Sequence, residues 1–209
     1  MKLLLENWRQ YLKEAAQTLE SMPDDVFIVI QEYSRGDSAY RIYLMQGEKK
    51  VGSCGVDKVP EKLLYDEEID ELEDWAEYHG HWKKFDDCLD NWGPVFDNLY
   101  TLHIQVDPSM KGYGPLLTDL AMELATSDNK WIIFPNLVGH HVSDDAKKLI
   151  EYYFTNRSDV FKEPIDMQCW YFHSSKDISG EEEMFRHLYR KDPDILNSQT
   201  AKTKIKWIK

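Results

Sequence analysis

Apolar residues recur along this chain with two periods, and the periods predict its elements. Over 3–20, Leu5, Trp8, Leu12, Ala15 and Leu19 return at steps of three and four. That spacing predicts an amphipathic helix, ended by Ser21-Met22-Pro23. Val26–Tyr33 is β-branched and apolar, Ala39–Gln46 alternates, and Lys49–Val56 can form a third strand. Turn residues at Arg35-Gly36-Asp37-Ser38 and Gly47-Glu48 separate them. The three runs predict an antiparallel meander.

The next stretch breaks the rhythm. Tyr65–Tyr78 is acidic with helical spacing at Ile69, Leu72 and Trp75-Ala76, and His79–Phe96 is rich in aromatics. Residues 60–98 therefore read as an insertion or lid, partly helical. The periods then resume: a strand Leu99–Val106, a helix Pro115–Thr126, a short strand Trp131–Phe134 and a helix from Ser143, a plausible cap, to about Phe154. Met167–Phe172 reads as a further strand, Glu181–Tyr189 as a helix and Lys202–Ile208 as an edge strand. Neighbouring strands with short turns pair antiparallel, whereas the strand–helix–strand unit at 99–134 requires a parallel crossover. The expected fold class is α/β, a mixed, mostly antiparallel sheet flanked by helices. The expected division is an N-terminal helix or leader at 1–22, a domain at 23–175 and a C-terminal extension at 176–209.

Charge narrows the partners. The net charge is −13, which argues against nucleic acid, since backbone binding needs Lys and Arg to displace counterions. Residues 60–98 hold 13 acidic residues against 3 lysines, whereas Lys202, Lys204, Lys206 and Lys209 in the last ten residues face no acid. That basic tail can close back on the acidic segment or meet a partner. No apolar run is long enough to span a membrane. The three cysteines (Cys54, Cys88 and Cys169) are widely spaced and odd in number, which suggests free, packed thiols in a reducing compartment.

The candidate chemistry lies at "VDPSMKGYGPLLTDLAMELA", residues 106–125. Two glycines and a proline stand at the mouth of a helix. They serve either a tight turn or a phosphate seat, because a helix N-terminus offers unpaired N–H groups and glycine lets a phosphate approach them. The donors would be the backbone N–H groups of Lys111, Gly112, Tyr113 and Gly114, with Pro115 suited to the first helical position.

"VDPSMKGYG" between a strand and a helix resembles the acetyl-CoA-binding signature of the GCN5-related N-acetyltransferases (GNAT), and the expected strand order is similar to that family's. Lys111 stands where the family has Arg or Gln, and Leu116 where it has a small residue. Sliding the motif by two residues restores Gly114 but puts Ser109 at the Arg/Gln position. The resemblance implies acetyl-CoA as co-substrate, with the pyrophosphate on Lys111–Gly114 and the pantetheine arm along the strand that carries Ile104 and Val106. "VSDDAKKLIEYYF" is similar to the family's next element, in which a tyrosine protonates the departing thiolate. Tyr153, ahead of Tyr152, is the candidate acid, although both can equally pack in the core.

A base must accept the proton of the attacking amine. His103, in mid-strand, is the candidate if it faces the cleft, and a packed histidine otherwise. Glu77, His79 and His81 can reach over from the insertion. His79-Gly80-His81 and His140-His141 each fall short of the three or four ligands of a closed metal site, so no metal is expected. The implied activity is acetyl transfer to a small-molecule or peptide amine. The alternative is a catalytically inactive protein of the same fold that acts in a virion or on a host. "GYGPLL" with the later "YYF" and "RSDV" resembles GNAT-like proteins of tailed bacteriophages, which implies a bacterial host cytoplasm or a virion. "MKLLLENWRQYLKEAA" resembles a capsid-targeting leader, with Leu12-Lys13-Glu14 before the expected cut. It would dock on a phage scaffold or capsid, or else simply cover the sheet.

Overall fold

Strand β1 (Val26–Glu32), β2 (Ser38–Gln46) and β3 (Lys49–Lys58) form the expected meander, and β4 (Leu99–Val106) extends it antiparallel to β3. The structure is a computed structural model that describes residues 17–59, 66–81, 83–88, 98–110, 112–134, 142–174 and 179–208. The fold is α/β, with helices flanking one mixed eight-stranded sheet. Helix α1 (Asp66–Tyr78) lies between β3 and β4. After β4 come α2 (Tyr113–Ser127), β5 (Trp131–Ile133), α3 (Asp144–Asn156), β6 (Val160–Pro164) and α4 (Met167–Ser174), then β7 (His187–Lys191), a single helical turn α5 (Ala201–Lys204) and β8 (Ile205–Ile208). The spatial order is β6-β7-β5-β4-β3-β2-β1-β8, with β4/β5 and β1/β8 parallel.

The alternation of β2 and β3 decides which face is core. Ile42, Leu44, Cys54 and Val56 point to one face and are fully buried against Leu117, Leu120, Ala121 and Leu124 of α2. At about 25 cal/mol per Å² of apolar surface, these side chains supply much of the drive for collapse. The opposite face divides in two. Towards β5 and β7 it is covered by Trp170 of α4, which packs with Val59, Leu99, Ile133 and Leu188. Towards β2 it is polar.

Several expectations are corrected. Met167–Phe172 is helical, not a strand. The Asp166 carboxylate accepts the N–H groups of Gln168 (3.0 Å) and Cys169 (3.1 Å), which caps a helix start, and a short apolar run has no decisive period of its own. The expected helix at Glu181–Tyr189 is one 3-10 turn, Glu183–Arg186, followed by β7, which pairs with both β5 and β6. The first helix does not reach residue 20: the chain from Thr18 to Ser21 is a turn, and residues 1–16, with the proposed leader and its cut, lie outside the described residues. The basic tail docks on β1, where Lys204 Nζ donates to the Pro23 carbonyl (2.7 Å) and Lys206 lies 3.9 Å from the Phe27 ring centre.

Cys88 and Cys169 are not free thiols but a disulfide, which ties the helical segment 83–88 to α4 inside a small cluster of Leu72, Ala76, Phe85 and Phe172. This pairing is not what a reducing compartment favours. Cys54 is the free cysteine among the described residues, and it is buried. No helix among the described residues is long and apolar enough to cross a membrane.

Candidate functional site

Strand β4 is paired with β3 along its whole length, from Tyr100↔Lys58 to Val106↔Gly52. On its other side it pairs with β5 only at Leu99–Thr101, because β5 ends at Ile133. Beyond Thr101 that edge has no strand neighbour among the described residues. A cleft of about 770 Å³ opens there, within the range typical of small-molecule sites. Four consecutive β4 residues line it: Leu102, His103, Ile104 and Gln105. Successive side chains of a strand point to opposite faces, so a cavity that touches all four runs along the strand's open edge. Ala146, Leu149 and Ile150 of α3 form the far wall. Helix α3 starts there because the Ser143 hydroxyl accepts the Ala146 N–H (3.3 Å).

The floor of the cleft is the polar face of β2 and β3. Register places Ser38, Asp57 and Thr101 in one row, Arg41, Gly55 and His103 in the next, and Tyr43, Ser53 and Gln105 in the third. Arg41 Nη1 donates to Asp57 Oδ1 (2.7 Å) and Nη2 to Ser38 Oγ (2.8 Å). Burial pushes the Cys54 thiol, on the core side of the same strand, up to about 12, so no thiolate nucleophile is offered.

The glycine turn follows β4. Asp107 Oδ1 accepts the Ser109 N–H (2.9 Å) and hydroxyl (2.6 Å), and these bonds hold the exposed carboxyl below its ordinary range. Gly112 has φ 87°, a left-handed conformation that glycine adopts without strain, and α2 begins with the next residue. Pro115 is thus the third helical residue rather than the first, still within the turn where no N–H is needed. A Cβ on Gly114 would meet nothing within 4 Å, so the helix start is open at that point. Thr118, one turn on, donates its hydroxyl to the Gly114 carbonyl (3.0 Å) and also lines the cleft. The open helix start and the open strand edge are therefore linked by one turn of α2.

The expected site residues separate into groups. His103 and Ile104 line the cleft, with His103 exposed to solvent. Gly112 and Gly114 form the helix start. Ser109 spends its hydroxyl on Asp107, Val106 is half-buried against the core, and the Tyr113 side chain is in the core, where burial raises its phenol. Lys111 lies outside the described residues.

Tyr153 departs furthest from its expected role. It is fully buried, and its hydroxyl sits between the Asp119 carboxylate and the Pro115 carbonyl (2.9 Å). Burial first, then the Asp119 charge, raises its phenol well above the ordinary range. It is absent from the residues that line the cleft. Its hydroxyl ties α3 to the start of α2. Tyr152 is half-buried and packs on the core. Glu77 is exposed on α1, and His79 and His81 stack on Trp75 at 4.4 and 5.7 Å between ring centres, with none of them lining the cleft. No group of three metal-ligating side chains occurs among the described residues, and His140-His141 falls outside them.

Sequence reasoning missed Arg41, Tyr43, Ser53, Gly55, Asp57 and Gln105. Their signal was present as polar residues or glycine at every second position of β2, β3 and β4, but only the register aligns them. Compared with known protein families, with curated proteins and with solved structures, the chain matches none.

Proposed function

We propose that the cleft binds acetyl-CoA and transfers its acetyl group to an amine, in the manner of a GCN5-related N-acetyltransferase. The observation that carries this reading is the stretch of β4 beyond Thr101, which has no strand neighbour among the described residues and leads to an open, glycine-bearing helix start. A strand edge presents N–H and C=O groups in a row, which suits an extended arm with amides of its own. The backbone N–H groups at Gly112–Gly114 and the positive end of the α2 dipole suit the pyrophosphate. His103 faces the cleft beside that edge and takes the proton that the amine loses as it attacks the acetyl carbon. The thioester supplies the activated acyl group. With Tyr153 sealed in the core, the departing thiolate draws its proton from water in the open cleft.

The sealed tyrosine also favours a second reading, in which the fold keeps the cofactor and not the reaction. Calorimetric titration of acetyl-CoA, followed by a thiol-release assay with an amine panel, separates the two. The enzyme reading expects binding, thiol release, and a fall in kcat of about 10²–10⁴-fold in His103→Ala with binding retained. Binding without release with any amine leaves the second reading, and no binding at millimolar cofactor overturns both.

A further inference from the structure

We infer that Arg41 is an anchor for a carboxylate on the acceptor, so that the acceptor class is an ω-amino acid rather than a plain alkylamine or polyamine. This rests on the acyl-transfer reading above for the fate of the amine, but the anchor itself is a property of the polar floor.

Arg41, Gly55 and His103 are aligned across three adjacent strands. A Cβ on Gly55 would lie 3.0 Å from Arg41 Nη1 and 3.2 Å from its Cζ. The guanidinium therefore lies over the bare backbone of Gly55, reaching from β2 towards β4. Its position is fixed from behind: Nη1 donates to the Tyr40 carbonyl (3.1 Å) and to Asp57, and Nη2 to Ser38. Those bonds use three of the five N–H groups. The Nε–H and one Nη2–H have no acceptor among the described residues, and in a planar guanidinium this pair matches the two oxygens of a carboxylate.

The electrostatics agree. The chain carries −13 overall, yet the charged residues that line the cleft are Arg41, Lys50 and Asp57, with His103 beside them. Asp57, the carboxylate of that set, is already bonded by Arg41 and by the Ser38 hydroxyl (3.0 Å). An incoming anion meets donors and no unpaired carboxylate. In the neighbouring row the buried Thr101 hydroxyl has no partner among the described residues.

The spacing selects the ligand. Neighbouring strands lie about 4.8 Å apart, so from the guanidinium over Gly55 to His103 on β4 the remaining reach is about 5 Å. An extended γ-aminobutyrate separates its amine and carboxylate by a similar length. It would rest its carboxylate on Arg41 and bring its nitrogen to His103. Glycine is too short for that span.

The test needs no turnover. Ligand-observed magnetic resonance would follow γ-aminobutyrate, glycine and butylamine against the protein and against Arg41→Gln, without acetyl-CoA. The inference expects γ-aminobutyrate to bind about tenfold or more tightly than butylamine, and the preference to fall to within about twofold in Arg41→Gln. Gly55→Ala, which keeps every charge but displaces the guanidinium, should weaken the preference in the same direction, and melting curves would confirm that both variants fold. Equal binding of γ-aminobutyrate and butylamine, or a preference that survives both folded variants, overturns the inference. A carboxylate preference lost in the variants, with no thiol release from acetyl-CoA by any amine, supports the anchor and refutes acyl transfer.

Discussion

The two sides of α2 hold charged groups in opposite states. On the cleft side, Thr118 is a buried residue of the cleft wall, and the cleft floor has a guanidinium with unspent donors. On the other side, Asp119 and Glu123, one turn apart, are closed off. Glu123 is fully buried, pairs with Lys191 Nζ, and accepts the N–H groups of Ile195 (3.1 Å) and Leu196 (2.8 Å). Asp119 takes Tyr153 and Arg157, and Arg157 also grips Asp159 (2.6 Å). A cavity of about 380 Å³ lies on this side as well, and at its wall Asp119, Arg157, Asp159 and Lys191 are already paired. Burial of an ion is tolerated only when its bonds are made, so the closed set holds segments together. Donors left over beside solvent are what a ligand can use.

The sharpest way to break this contrast is Glu123→Ala. It would leave the Lys191 ammonium buried and two backbone N–H groups unpaired, at a cost of about 3–5 kcal/mol. Urea unfolding reads this directly, and a loss below about 1 kcal/mol would show that the network is not structural. Next comes the paired replacement Cys88→Ala with Cys169→Ala. It should lower stability by about 2–4 kcal/mol and leave acetyl-CoA affinity unchanged, since the bridge lies in the α1–α4 cluster. A large loss of affinity would instead tie that cluster to the cleft.

On the open side, Gly114→Val should weaken acetyl-CoA binding tenfold or more, at least about 1.4 kcal/mol, with the fold kept because the added side chain enters empty space. Gly112→Val is the less clean partner, since it also strains a positive φ. Unchanged affinity in folded Gly114→Val would remove the pyrophosphate from this turn. Tyr153→Phe sharpens the contrast from the closed side: it should cost about 1 kcal/mol of stability and leave kcat within about twofold. A tenfold fall in kcat with stability unchanged would restore Tyr153 as the acid.

The smallest effect concerns pH. The Tyr153, Tyr40 and Tyr100 phenols are all raised chiefly by burial, and Tyr40 and Tyr100 also donate to Asp128 (2.9 Å each). A group protonated in the folded state to higher pH than in the unfolded chain contributes fully below the unfolded value, about 10 for a phenol, and progressively less above it. Stability from these phenols should therefore be flat through neutral pH and fall only in alkali. Ultraviolet absorbance would show their ionisation coinciding with unfolding. Earlier, reversible ionisation of all twelve tyrosines in the folded protein would contradict their burial.

The sequence by itself determined what depends on near neighbours. The β-branched run Val26–Tyr33, the alternating run Ala39–Gln46 and the turn residues between the strands set the meander, because these signals are written within each strand and turn. The Asp107–Pro115 stretch marked a helix start through glycine and proline, whose backbone limits are intrinsic. Two of the candidate site residues on β4, His103 and Ile104, were legible because the strand itself was. What tertiary structure alone decided were pairings between distant segments. The 187–191 segment became an interior strand rather than a helix because β5 and β6 offered open edges on both sides. Cys88 met Cys169 across 81 residues. Tyr153 was sealed by Asp119 and Arg157, which no local pattern signals. The row Arg41–Gly55–His103 exists only through register, since each strand knows its own alternation and only the ladder between strands fixes which residues stand side by side.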